Sequence, residues 1–227
     1  MTQKIPSGKS KSELTRARIL DAALELFNRD GVEAVSTRQI AAAAGLSQGN
    51  LCYHFPAKDQ IVETLYRQLW QAFEAMLAQR PQTQRQLADQ PLATWMVLRT
   101  QYRYRFLMLD FVRLMRTYPE ILAHFRAAVP HRQAQFQAIF AAYIAKGWME
   151  PEPVPGAHQR LVMQCYVLGD FWMAEAEILF EGSEAELLLH YTGLICGMFW
   201  PYLTVQGRKI LDQAQAELPM AIAELGQ

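Results

Sequence analysis

Gln48, Asn50, Tyr53 and His54 crowd into one short stretch, Gly45–Asp59, with the sequence GLSQGNLCYHFPAKD. Their chemistry suits recognition better than catalysis. The carboxamides of Gln and Asn can pair bidentately with adenine, and Tyr or His can reach phosphates or base edges. Gly49, between the two amides, lets a backbone come close to a surface. Thr37, Arg38 and the amide end of the helix they begin would grip phosphate, as would Lys58 just beyond the stretch. Ser47, which starts the helix carrying the amides, belongs with this group.

Such side chains read a surface only if two helices hold them. Ser36-Thr37-Arg38-Gln39 is a capping box, with Ser at the N-cap and Gln three residues on. It starts a helix with Ile40, Ala41 and Ala44 inward, and Gly45 ends it. Ser47 caps a third, short helix to about Phe55, stopped by Pro56. Two helices joined by a tight Gly turn make a helix-turn-helix. Ala41 is small where the helices cross, and Gly45 supplies the positive φ of the turn. Ile40, Leu46, Leu51 and Phe55 plug a small core. Gln48, Gly49, Asn50, Tyr53 and His54 remain outside, free to enter a major groove. An ordinary helix–turn–helix with a polar outer side would show the same local pattern.

Flanking helices complete the frame. The first covers about Leu14–Arg29, with Leu14, Ile19, Ala22, Ala23, Leu26 and Phe27 on one face and Gly31 as its stop. The fourth runs from Lys58 to about Gln79. RPQTQRQLADQP then breaks the pattern and divides the chain: a basic, disordered arm over 1–12, a DNA-binding domain over 13–80, and a helical domain over 81–227. In the latter, helices are expected at Leu92–Arg116 with a break in its middle, Pro119–Ala128, His131–Lys146, His158–Glu181 and Glu184–Leu203. The last, Arg208–Leu225, is broken by Pro219.

The ordered motifs from Arg18 to Phe27, then Gly31, Ser36–Ala41, Ala44–Leu51, Tyr53–Phe55 and Lys58, closely resemble the TetR family of transcriptional regulators over about Thr15–Leu69. The resemblance implies an all-α fold, with an N-terminal three-helix helix-turn-helix DNA-binding domain and a C-terminal helical ligand-binding and dimerisation domain. It implies a homodimeric repressor on a roughly palindromic double-stranded operator, released by a small-molecule effector. By the same carry-over Thr37 and Arg38 contact backbone or groove edge. Gln48, Gly49 and Asn50 read bases, Tyr53 and His54 contact phosphates or bases, and Lys58 anchors a phosphate. Leu51-Cys52-Tyr53 departs from the family's Leu-Tyr-Tyr or Leu-Tyr-Trp, which removes one phosphate contact. Cys52 itself reads as a half-buried filler.

Other classes find little support. Half of the 227 residues are apolar, and the net charge is zero. Lys4, Lys9, Lys11, Arg16 and Arg18 face only Glu13 near the start, which suits a polyanion or a solvated helix face equally. Cys52, Cys165 and Cys196 are an odd, scattered set, so no disulfide framework or zinc knuckle is expected. No phosphate-cradling Gly loop, H-E-x-x-H or G-x-S-x-G occurs. No catalytic residue, metal or cofactor is expected, and neither a secretory signal nor a membrane span, which makes the expected location cytoplasmic.

In the second domain His158–Glu181 is apolar on two sides, as a helix buried on two sides must be. Leu161, Cys165, Leu168 and Trp172 there, with Leu187, Tyr191, Leu194 and Met198 on the next helix, are the expected dimer seam. Gly193-x-x-x-Gly197 allows a close approach. Because the family binds ligands between these helices, Tyr102, Phe106, Met115, Phe136, Phe140, Tyr143, Tyr166, Asp170 and Trp172 are the pocket candidates, for a largely apolar ligand. Asp170 needs a cationic partner, expected to be Arg103 or Arg105. Two rivals stand beside this reading: a ligand-independent regulator controlled by a protein partner, and a helical ligand-binding protein without DNA binding.

Overall fold

The computed structural model describes residues 10–78 and 86–225. Among them the regular structure is helical, with one isolated antiparallel bridge, Met149 to Leu203. The helices are α1 (Lys11–Ala34), α2 (Thr37–Ala43), α3 (Gln48–His54), α4 (Lys58–Ala78), α5 (Gln90–Arg103), α6 (Arg105–Leu109), α7 (Phe111–Thr117), α8 (Pro119–Ala145), α9 (Ala157–Leu179), α10 (Glu184–Gly197) and α11 (Val205–Leu225). Short 3-10 turns lie at Leu87–Asp89 and Trp200–Tyr202. The chain divides into two compact units, Met1–Gln68 and Leu69–Gln227. This division falls inside α4, short of the expected boundary at its far end.

In the first unit α1 starts earlier than its apolar pattern suggested. Ser10 caps it, accepting from the Glu13 amide at 3.2 Å while its own amide donates to the Glu13 carboxylate at 2.6 Å. Ser10–Ser12 therefore belong to the helix and its cap, and the rest of the expected arm lies outside the described residues. Leu14 is exposed, so the inward face begins at Ile19. At Gly31 the backbone leaves helical geometry (φ 77°, ψ 160°), as the stop signal required, and one further turn leads to Val35. Ile19, Ala23, Phe27, Val32, Ile40, Leu51, Phe55, Ile61, Val62 and Leu65 fill the core.

The second unit departs from expectation at its prolines. α8 runs unbroken through Pro130 and α11 through Pro219. Both prolines are exposed, while Ile121, Ile139 and Phe140 stay packed along α8 and Leu211 and Leu218 along α11. Buried Ile121 and Ile139 on either side of Pro130, and buried Leu218 with half-buried Ile222 around Pro219, outweigh one missing amide donor. The helix expected at Leu92–Arg116 has the break in its middle, at Tyr104, and a second, unexpected one at Asp110. Glu184–Leu203 ends as helix at Gly197 and closes in a 3-10 turn.

α5 is the central element, packed on α10 and α11. Its buried Gln101 ties it to α9 by donating to the Gly169 carbonyl at 2.9 Å and accepting from the Trp172 indole at 2.7 Å. A buried amide so satisfied fixes the register of two helices, since any slip would orphan three polar groups.

Cys165 and Cys196 are sealed into this core, and burial pushes both thiols up to about 12. Burial also pushes the Tyr166 phenol up to about 12. Folded-state values above the unfolded ones give stability that is complete below about pH 8.5, where free thiols hold their protons, and is lost as the pH rises toward the folded values. Urea unfolding at about pH 8 and about pH 10.5 is expected to show a lower midpoint at the higher pH. The Cys165→Ala/Cys196→Ala variant should lose part of that difference. An unchanged midpoint would mean that the thiols are not sealed.

Candidate nucleic-acid interface

The turn between α2 and α3 is held by its backbone. Gly45 takes φ 64°, Leu46 donates its amide to the Ala41 carbonyl at 2.8 Å, and Gly45 donates to Ala42 at 3.0 Å. This is the paired closure that a left-handed C-terminal glycine makes possible. Ser36 caps α2 through Gln39, and Ser47 caps α3 by accepting from the Asn50 amide at 3.2 Å. Leu51, wholly buried, and Phe55 pin the inner side of α3. Arg38, Ser47, Gln48, Gly49 and Asn50 are exposed, and Tyr53 is 82% exposed. Thr37 and His54 are half-buried. The structure thus brings eight of the nine expected DNA contacts onto the outer side of α2 and α3.

Gln48 is also restrained. Its side-chain amide donates to the Thr37 hydroxyl at 2.9 Å and to the half-buried Cys52 sulfur at 3.6 Å. The first bond crosses the turn and sets the carboxamide in one orientation before any ligand arrives. Nothing in the spacing of Thr37 and Gln48 foretold it.

Lys58 is the correction. Its ammonium donates to the Val32 carbonyl at 2.7 Å and the Val35 carbonyl at 2.9 Å, so it closes the end of α1 rather than reaching outward to a phosphate. Two more cations do the same work. Arg16 donates to the His54 carbonyl at 2.5 Å with its guanidinium 4.0 Å over the Phe55 ring. Arg18 donates to the Ala44 carbonyl at 2.5 Å. The ends of α1, α2 and α3 are each held by a cation from another helix. α1 and α2 have no basic residue in their own last turns. Arg16, Arg18 and Lys58 are thereby engaged with helix carbonyls, where the helix dipole favours positive charge.

In the second unit the expected pocket residues scatter. Phe140, Tyr143, Tyr166 and Trp172 are buried core, Tyr102 and Phe136 pack against it, and Phe106 is buried too. Bulky aromatics at helical spacing here fill space. Asp170 pairs with Arg132 at 3.1 Å, not with Arg103 or Arg105, because α8 lies against α9; those two arginines lie over Tyr104 and Tyr102. The Tyr166 hydroxyl is buried without a hydrogen-bond partner, and the Arg132 guanidinium lies 4.5 Å from the centre of its ring. Met115 alone of the nine candidates lines the open groove of about 470 Å³ beside α7 and α8, with Phe111, Val112, Arg116, Pro119, Leu122, Phe125 and Arg126.

The seam residues are also reassigned. Leu161, Cys165, Trp172 and Tyr191 are buried in the chain's own core, Trp172 against Tyr191 at 4.9 Å between ring centres. Leu168, Leu187 and Met198 are half-buried against the same core. Leu194 is exposed, as expected. The open apolar face of α9 is instead Met163, Val167, Phe171 and Ile178, beside Leu194 and Gly197 of α10. A methyl group added at Gly193 or Gly197 would meet no atom within 4 Å, so neither glycine is needed for packing inside the chain.

Comparison with known proteins agrees with this geometry. The family model described as "Bacterial transcriptional repressor", TetR, matches residues 57–211, and that of "Bacterial regulatory proteins, tetR family" matches 19–65. The chain belongs to the TetR family. Among curated relatives it is 35% identical over 71 residues to the transcriptional regulator AcrR of Shigella flexneri, covering 31% of each chain. It is 41% identical over 61 residues to the transcriptional repressor KstR2 of Rhodococcus jostii, covering 27% of this chain and 28% of that one. The chain thus matches under a third of the length of these relatives. A TetR-family regulator from Marinobacter aquaeolei VT8 superposes with a TM-score of 0.79 at 25% identity, over 90% of this chain and 98% of that one.

If the cation clamps hold the head together, Lys58→Met should lower unfolding stability by roughly 1–3 kcal/mol, the cost of stranding two carbonyls. Arg16→Met should do likewise, and both should show faster hydrogen exchange at residues 32–35 or 54–55. A Lys58→Met protein with unchanged exchange but weakened DNA affinity would restore the phosphate-anchor reading.

Proposed function

We propose that this chain is a homodimeric repressor that reads a palindromic operator through α3 and lets go when a small, largely apolar molecule binds its second unit. The observation that carries the DNA reading is the exposed row of Gln48, Asn50 and Tyr53 on a helix whose inner side is sealed by Leu51 and Phe55. Gln48 and Asn50 act on base edges. Arg38, Thr37, Ser47, Tyr53 and His54 act on the sugar–phosphate backbone, and the small Gly49 lets the helix come close. With Lys58 engaged at α1, Arg38 carries more of the charge-dependent affinity.

The dimer reading rests on the exposed stripe of Met163, Val167, Phe171 and Ile178 on α9 and its neighbour Leu194 on α10. Four large apolar side chains in one row on a soluble helix mark a surface that another covers. A two-fold dimer suits two half-sites about one DNA turn apart. Repression in the cytoplasm follows from the family's usual role. No enzymatic step is part of this reading. No helix among the described residues is long and apolar enough to cross a membrane.

Selection from random duplex DNA should return a palindrome. Against it, Gln48→Ala and Asn50→Ala should each cost roughly 1–3 kcal/mol and relax one position of each half-site. Arg38→Ala should weaken all sequences alike and lower the salt slope by about one. Recovery of no enriched sequence would sink the operator reading.

Sedimentation should give a dimer at micromolar concentration. Val167→Glu with Leu194→Glu should convert it to a monomer of unchanged helicity, because a seam cannot bury unpaired carboxylates. A wild-type monomer would end the dimer reading.

A further inference from the structure

The groove beside α7 and α8 combines apolar walls with two arginines, Arg116 and Arg126. The other arginines of these helices have acidic partners: Arg113 meets Asp110 at 2.5 Å, and Arg132 meets Asp170 at 3.1 Å. Among the described residues neither Arg116 nor Arg126 has an ion pair, and no hydrogen bond links either to Glu120, the acid nearest in sequence. Two uncompensated guanidinium groups thus flank a cleft of about 470 Å³ walled by Phe111, Met115 and Phe125. That volume is in the range of small-molecule sites.

We propose that this groove is the effector site and that its ligand is an amphipathic carboxylate, an apolar body with one anionic end. The inference rests on the ligand-released repressor described above and names the chemistry of its ligand. The tail lies on Phe111, Met115 and Phe125, where displaced water favours burial. The carboxylate lies between Arg116 and Arg126, whose planar forks suit it. A neutral ligand would leave both cations uncompensated, and a cationic one would be repelled.

The walls of the groove also say what occupancy would move. Phe125 stacks edge-on with Phe111 at 5.1 Å and with Trp70 of α4 at 6.5 Å, and Phe111 meets Phe171 of α9 at 5.5 Å. Trp70 also meets His124 of α8 at 5.1 Å. A body wedged against Phe111 and Phe125 presses on α4, the helix that begins at Lys58, and on the exposed stripe of α9. Both elements that a dimeric repressor needs held in place share rings with one groove.

Decanoate is the probe, with decanol and decyltrimethylammonium as neutral and cationic controls of the same tail. Calorimetry on the full chain should show saturable decanoate binding, with decanol weaker by about tenfold and the cation not bound. Arg116→Gln/Arg126→Gln, at exposed positions that should leave the melting temperature unchanged, should weaken decanoate about tenfold and leave decanol where it was. Met115→Trp, which fills the groove, should abolish both. Anisotropy with the selected operator should show decanoate releasing wild type but not the double variant, while operator affinity without decanoate stays equal in the two. Equal decanoate binding by wild type and double variant, or decanol binding as tightly as decanoate, overturns the proposal, as does a Met115→Trp protein that still binds. Intact operator binding alongside any of these failures leaves the repressor reading standing. Decanoate binding without operator binding would do the reverse.

Discussion

A helix ends with carbonyls that have no amide to accept from, and something must donate to them. In the first unit that donor is a cation borrowed from a different helix. Lys58 closes α1, Arg18 closes α2 and Arg16 closes α3. Each bond ties one helix end to another element, so the three helices become a single body. α2 and α3 have seven residues each, too few to be stable in water alone. The presentation of Gln48 and Asn50 depends on these ties as much as on the buried Leu51 and Phe55. The Thr37–Gln48 bond adds a last restraint at the tip. A reading surface preorganised in this way does not have to order its side chains when it binds, and that entropy is a large part of what association costs.

The second unit uses a different device. α9 and α5 are locked by Gln101, a buried amide with both ends satisfied, rather than by surface charge. Around it the aromatic residues Trp172, Tyr143, Phe140 and Phe199 fill the core. The open groove lies at the edge, beside the short α7, which only Asp110 separates from α6. Two interruptions, at Tyr104 and Asp110, divide the helical run, so that α5 packs on α10 and α11, α6 on α9 and α7 on α8.

Periodicity decided most of the helix inventory, and the capping box at Ser36 and the turn glycine Gly45 were legible from residue type and spacing. The exposed outer side of α3 was legible for the same reason: its positions are set by two local signals only a few residues apart. Errors gathered where a residue has two physically sound uses. Pro130 and Pro219 look like helix stops, and only the packing of their neighbours on the core shows that the helix continues. Lys58 looks like a phosphate anchor, and only the fold brings the Val32 and Val35 carbonyls under it, since they lie more than twenty residues away along the chain.

The sequence by itself determined the helical class, the family, the two-unit division in outline and the outer row of α3, because all of these follow from residue type and short-range spacing. Tertiary structure alone decided which side of α9 faces its own core. Leu161, Cys165 and Trp172 on one side and Met163, Val167 and Phe171 on the other are equally apolar, and hydrophobicity has no direction. The choice was made by Gln101 and Tyr191, which meet Trp172 from α5 and α10 and leave the opposite stripe exposed.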